Sequence, residues 1–256
     1  MARQTADHDL PTTLAAQRKA RWRMPSEPSA LPTLDVDQLV PPGRRAVLVA
    51  THPADEVLGC GGLLQQLCGT RELMIISLTN GCHRRGTRRP DDARLAIIRP
   101  QESVEALRRL GLDLAKLKWI RGGLPEGALA DCEARIGELL LRHLREDDVL
   151  IGPWRDDAHP DQAAAGRSAA RACLARGAEL IEVPLWRALP AQGGWPGRQA
   201  GRLELDIFDL ARKRHALQAF ASLLHGDPRS GVSPLFDPQH RDRLLQAREV
   251  LIHGLD

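Results

Sequence analysis

Apolar residues along this chain fall into short unbroken runs separated by longer stretches in which they recur every three or four positions. The runs at 46–51, 72–79, 118–120, 149–152, 180–186 and 203–208 read as strands. Between them, 56–68, 91–110 and 161–175 read as helices, as does the segment after Asp131, which carries Ile136, Leu139, Leu140, His143 and Leu144 at helical spacing. Asp131 is placed to cap that helix, and Gly111 to close the one before it. Two amphipathic helices, 209–224 and 238–253, are expected to close the chain. Strands separated by helices favour an α/β fold, a Rossmann-like, mostly parallel sheet with helices on both faces in a single domain.

Before residue 44 the pattern changes. Pro11, Pro25, Pro28, Pro32, Pro41 and Pro42 interrupt it, and only 14–23 has helical character. The expected organisation is an N-terminal extension over 1–43 and one domain over 44–256. Charge adds little: 36 basic against 33 acidic residues give a net charge of +3, no field that would recruit nucleic acid. The arginine run at 83–89 reads as a solvated loop, and the absence of Tyr with only 3 Phe leaves few surfaces on which bases could stack. Cysteines number 5 and form no CxxC pair, which argues against a disulfide framework or a structural zinc knuckle. No segment has the length and apolarity of a signal peptide or a membrane span, so the expected location is the cytoplasm, with no membrane partner.

Two segments carry chemistry. After the strand at 46–51 comes His52-Pro53-Ala54-Asp55-Glu56, followed by the glycine-rich Gly59-Cys60-Gly61-Gly62. After the strand at 149–152 comes Trp154-Arg155-Asp156-Asp157-Ala158-His159-Pro160-Asp161-Gln162. Ligands of open α/β sheets collect at the carboxyl ends of strands, and an imidazole with a carboxylate three residues on can share a zinc ion. The Gly59–Gly62 stretch lacks the GxGxxG spacing of a dinucleotide loop, so a metal-free nucleotide-binding module rests on fold analogy alone. Taken singly, each residue has an ordinary reading: His52 as a loop or capping histidine, Asp55 and Glu56 as dipole-compensating residues, Cys60 as a small buried one. Their joint placement at two strand ends is what points to a site.

These two motifs, together with Arg99-x-x-Glu102, Leu110-Gly111, Lys213 and Glu249, resemble the PIG-L (LmbE-like) family of zinc-dependent N-deacetylases over about residues 34–253. The resemblance implies a hydrolase that removes an N-acetyl or N-acyl group from an N-acetylglucosamine-type amino-sugar conjugate, with zinc or another divalent metal as cofactor. It assigns His52, Asp55 and the side chain at 162 to the metal, the side chain at 54 to the general base, His159 to oxyanion stabilisation or leaving-group protonation, and Asp161 to orienting it. Arg99, Trp154 and Arg155 fall where substrate contacts are expected; Trp154, Trp186 and Trp195 otherwise read as packing residues or pocket walls, with sugar stacking as the other reading. The chain departs from the pattern at two of these places: Ala54 can accept no proton, and Gln162 is a poor zinc ligand beside a histidine. Reduced activity is therefore expected, with Asp156, Asp157 and Glu56 as nearby carboxylates that could replace the base. The alternative is a catalytically degenerate pseudo-enzyme that binds a sugar-like ligand or a partner without hydrolysis. The sequence leaves the exact substrate and the oligomeric state open.

Overall fold

The computed structural model describes residues 31–81, 90–186, 199–226, 242 and 244–254. The helix expected at 14–23, the arginine run, Cys82 and Trp195 lie outside them. In chain order the elements are α1 (Val36–Leu39), β1 (Ala46–Ala50), α2 (Asp55–Leu67), β2 (Leu73–Thr79), α3 (Pro90–Arg109), β3 (Lys118–Leu124), a 3₁₀ turn (Leu129–Cys132), α4 (Glu133–His143), β4 (Val149–Pro153), α5 (Pro160–Arg176), β5 (Glu179–Val183), β6 (Gln199–Glu204), α6 (Ile207–Leu217), α7 (Ala221–Leu224) and β7 (Arg248–His253).

The strands form one seven-stranded sheet in the order β3-β2-β1-β4-β5-β7-β6. β3, β2, β1, β4 and β5 are parallel, and β7 runs antiparallel to both β5 and β6. Alternation along the central strands assigns the two faces. Leu48, Ile75 and Ile151 pack with Leu63 and Leu64 of α2, Leu107 of α3 and Leu217 of α6. Val47, Val49, Ile76 and Leu150 pack on the other face with Ile136 and Leu140 of α4 and Ala165 and Ala169 of α5. Helices thus cover both faces, as the unbroken apolar runs of the strands require.

Chain order reverses at β1, whose neighbours are β2 on one side and β4 on the other. The segments that leave the carboxyl ends of β1 and β4 therefore emerge side by side, at the position where such sheets bind ligands. Ahead of β1, Leu39 and Val40 are buried in the core, and Leu34 N–H donates to Arg202 O at 2.8 Å, so residues 32–40 are docked on the sheet beside β6.

Several elements differ from the sequence reading. The stretch expected as the end of a helix at 238–253 contains strand β7, with Leu251 and Ile252 buried in the sheet. Its run Val250-Leu251-Ile252 satisfies strand and helix patterns equally, and pairing with β6 and β5 decides. The strand expected at 203–208 is shifted to Gln199–Glu204, because Asp206 caps α6 by accepting from Asp209 N–H; Ile207 and Phe208 lie exposed in its first turn. The helix expected at 209–224 is broken into α6 and α7. Asp131 does not cap α4: it lies in the 3₁₀ turn, and the residue before α4 is Cys132. Gly59 to Gly62, by contrast, lie in the middle of α2, within the helix expected at 56–68.

Those glycines admit a buried charge. Gly62 and Leu63 donate their backbone N–H groups to the two carboxylate oxygens of Glu249 on β7, at 2.7 and 2.9 Å. Lys213 of α6 reaches the same carboxylate, Nζ to Oε1 2.6 Å, with side-chain exposures of 0% and 1%. Its stem crosses Gly61, where a Cβ would stand 3.2 Å from Lys213 Cγ. This pair ties α2, the helix that begins at His52-Pro53-Ala54-Asp55, to the last strand and the last long helix.

Candidate functional site

The chain turns sharply from β1 into α2. Ala54, at the position before the helix, has φ 83°, the left-handed region that a non-glycine residue enters at a cost of about 1–2 kcal/mol. The turn aims Asp55 back at the strand end, where its Oδ2 accepts from His52 N–H at 2.7 Å. From β4 the chain runs through Trp154–Ala158 into α5, which starts with His159 as cap: Nδ1 accepts from Asp161 N–H at 3.2 Å. Asp157 fixes this loop by accepting from His159 N–H (3.0 Å) and from Leu185 and Trp186 N–H (3.1 and 3.0 Å).

The two motifs meet. His52 Nε2 lies 3.1 Å from Asp161 Oδ2, and the rings of His52 and His159 stand edge to face with centroids 5.1 Å apart. Asp161, 1% exposed, also accepts from Gly127 N–H (2.6 Å) and Leu129 N–H (3.0 Å), which brings the loop after β3 into the site. Gln162 is fully buried: its Oε1 accepts from Thr51 Oγ1 at 2.7 Å and its Nε2 donates to Asp55 Oδ2 at 2.7 Å, with His52 Nδ1 3.5 Å away. Trp186 covers His159, ring centroids 5.6 Å apart.

The charges follow from this geometry. Burial opposes charge on His52, but the hydrogen bond to Asp161 and the fields of Asp55, Glu126 and Asp161 outweigh it and lift its pKa to about 9. Burial and the neighbouring His52 push His159 down to about 4 against the pull of Asp161. At neutral pH His159 is therefore the uncharged imidazole. With Nδ1 accepting from Asp161 N–H, its proton is on Nε2, a donor available to a substrate oxygen. Burial works to raise Asp161, yet the bond and charge of His52 with the Gly127 and Leu129 N–H groups hold it below the usual carboxylate range. Asp55 is raised, chiefly by burial. Glu56, 1% exposed, is pushed up to about 7 by burial, with Ser103 restraining the shift.

Other residues singled out in the sequence are placed differently. Trp154 is buried with Ala200 and Ile252 under the antiparallel edge of the sheet. Arg155 is held by buried Glu182 of β5, Nε to Oε1 2.9 Å. Neither faces His159 as Trp186 does. Arg99 of α3 is 8% exposed, donates to Gly81 O at the end of β2, and lies 3.9 Å from Glu126. Asp157, one of the carboxylates considered as a substitute base, is committed to backbone N–H groups. Trp186, expected with Trp154 and Trp195 to be a packing residue or pocket wall, lies against His159; Thr51 and the 126–129 loop were not singled out. Only the last left a trace in the sequence, the turn-forming Gly122-Gly123-Leu124-Pro125-Glu126-Gly127 after a strand.

His52, His159 and Asp161 each bring a ligand atom within 4.8 Å of the others, a group that could hold a metal ion. The expected zinc set, His52 with Asp55 and residue 162, fails on its donors. Zinc needs lone pairs turned to one point. Gln162 turns an N–H donor toward Asp55, and its carbonyl oxygen is spent on Thr51. The residues present do not fit zinc at that position.

A mostly parallel α/β sheet with histidines and carboxylates gathered where chain order reverses is the architecture of a strand-tip enzyme site. Residues 47–173 match the PIG-L family, described as GlcNAc-PI de-N-acetylase, and the chain belongs to that family. Solved structures share the fold. The zinc-inhibited form of teicoplanin deacetylase Orf2 aligns over 83% of this chain and 99% of its own at 14% identity, TM-score 0.59. N,N'-diacetylchitobiose deacetylase from Pyrococcus horikoshii aligns over 77% and 76% at 19% identity, TM-score 0.52. The conserved protein TT1542 from Thermus thermophilus aligns over 73% and 83% at 25% identity, TM-score 0.50. No curated protein matches the chain by sequence. Among the described residues no helix is long and apolar enough to cross a membrane.

Proposed function

We propose that the strand-tip site takes an N-acylated amino-sugar conjugate, the kind of substrate the family name describes, and hydrolyses its N-acyl group slowly with a reduced catalytic set. The observation that carries this reading is His159, uncharged, oriented by Asp161 N–H and covered by Trp186, so that its Nε2–H can donate to the acyl oxygen as it gains negative charge. Asp161 holds His52 beside it as a fixed positive charge. Water lacks its proton acceptor, because position 54 is alanine; that loss alone is about 10²–10⁴ in rate, or roughly 3–5 kcal/mol. Donor and binding contributions that survive such a loss still accelerate hydrolysis over water. Zinc at the position expected from the resemblance, between His52, Asp55 and residue 162, has no part in this reading, for the donor reason given above.

A second reading, recognition without turnover, is favoured by Ala54 and Gln162 together. One experiment separates the two. Acetate release from an N-acetylglucosaminide is measured for the native protein, for His159→Ala, and for the double variant Ala54→Asp, Gln162→His with zinc supplied. Slow release that falls further in His159→Ala supports turnover. No release from the native chain, with gain in the double variant, supports binding alone. Failure of every form to bind or cleave the glycoside refutes the substrate class.

A further inference from the structure

We infer that the side-chain amide of Gln162 takes the place of a metal cation between His52 and Asp55, so that the folded site is complete without a metal. This is a matter of how the site is held together; its test reads metal and stability rather than acetate, so it stands or falls apart from the proposed turnover.

The amide is matched donor to acceptor with Asp55 and Thr51. Asp55 is 8% exposed, His52 9% and Gln162 0%, so each polar atom needs a partner inside the protein. The Asp55 carboxylate is acceptor-only when ionised. Oδ2 receives two donors, His52 N–H at 2.7 Å and Gln162 Nε2 at 2.7 Å. Only the amide nitrogen can face that oxygen; turned over, Gln162 would set Oε1 against Oδ2. Thr51 fixes this orientation by donating its hydroxyl to Gln162 Oε1 at 2.7 Å, and Thr79 Oγ1 donates to Thr51 O at 3.0 Å, anchoring the strand end from β2. The amide nitrogen is also the group nearest His52 Nδ1, at 3.5 Å. A single NH₂ thus stands against the ring nitrogen and the carboxylate that a cation would bridge.

A cation entering here would have to turn the amide over, break its bond to Asp55 and undo the bond from Thr51. The alternative corner, toward Asp161, is also engaged: Oδ2 accepts from Gly127 N–H and faces His52 Nε2, and Oδ1 accepts from Leu129 N–H. A histidine at 162 presents a lone pair where the amide presents a proton, and a small void lined by Asp55, Gln162, Gly152 and Val183 adjoins the position.

The test compares the native protein with Gln162→His. Both are purified without chelator, equilibrated with zinc chloride and desalted; zinc per chain is measured by plasma mass spectrometry, and thermal midpoints are recorded with zinc and with EDTA. The native chain is expected to hold no stoichiometric zinc and to melt at one temperature in both conditions. Gln162→His is expected to hold one zinc per chain and to gain roughly 5–10 °C at a zinc concentration about 100 times its dissociation constant, an increase that EDTA removes. Should Gln162→His not fold, Gln162→Glu supplies an anionic oxygen at similar reach and is read in the same way. Stoichiometric zinc on the native chain, a native midpoint that drops in EDTA, or a folded variant as free of zinc as the native chain would overturn the inference.

Discussion

The Lys213–Glu249 pair makes a quantitative demand on stability. Glu249 accepts from Gly62 and Leu63 N–H in the middle of α2 and from Lys213 Nζ, with both charged side chains sealed from water. Replacing Lys213 by Met keeps the stem that packs over Gly61 and removes only the charge. The carboxylate then retains its two backbone donors, so the cost falls at the low end of the range for breaking a buried pair, about 3 kcal/mol. Glu249→Leu strands the ammonium and two N–H groups at once, about 3–5 kcal/mol for the charge and roughly 1 kcal/mol more for each N–H. At about 2–4 °C per kcal/mol, the thermal midpoint should drop by roughly 6–12 °C in the first variant and by more in the second. Thermal and urea unfolding followed by circular dichroism measure both variants, and the double variant Lys213→Met, Glu249→Leu should lose less than the sum of the single changes. If both single variants stay within about 1 kcal/mol of the native protein, the pair is not what joins α2 to β7 and α6, and this reasoning fails.

Two more outcomes follow from the site. His52 has its pKa raised from 6.5 to about 9, so its contribution is complete below pH 6.5 and disappears as pH climbs through 9, a swing of about 3 kcal/mol. Glu56, raised from 4.5 to about 7, adds a loss in the same direction at lower pH, whereas His159, lowered from 6.5 to about 4, gives up its contribution as pH falls through that interval. The urea midpoint should therefore decline between pH 6.5 and 9; a flat native profile, or an equal decline in His52→Gln, contradicts the assignment. Gly166→Ala places a Cβ 2.5 Å from Pro153 O and 2.6 Å from Arg155 N. Because those atoms are backbone of the second motif's loop, a loss of about 1–3 kcal/mol is expected, with weaker protection of the 153–159 amides from hydrogen exchange; unchanged exchange there would show that the loop is not held against α5.

The parts of the fold legible from sequence were those in which pattern and burial coincide. Val47 to Val49, Leu73 to Ile76 and Val149 to Ile151 are buried on both faces, and such strands read as unbroken apolar runs. The antiparallel edge was harder: Val250-Leu251-Ile252 is too short for periodicity to separate strand from helix, and its state is set by β6, more than forty residues earlier. At the site, the motifs located His52, Asp55, His159, Asp161 and Gln162, because strand ends and helix starts are local. Thr51 and the Gly127 and Leu129 N–H groups escaped notice because their roles arise only from distant segments folding together, and a backbone N–H leaves no mark in a sequence. Trp154 and Trp186 are alike in composition terms; the turn after β4 buries Trp154 beneath the sheet edge, and the segment after β5 lays Trp186 against an imidazole.

The left-handed turn at Ala54 has one further consequence. Alanine gains nothing from that conformation, whereas asparagine and aspartate tolerate it better than other non-glycine residues. The main chain is thus already shaped for an acidic side chain that it lacks, and re-arming position 54 calls for a change of side chain without rebuilding the loop.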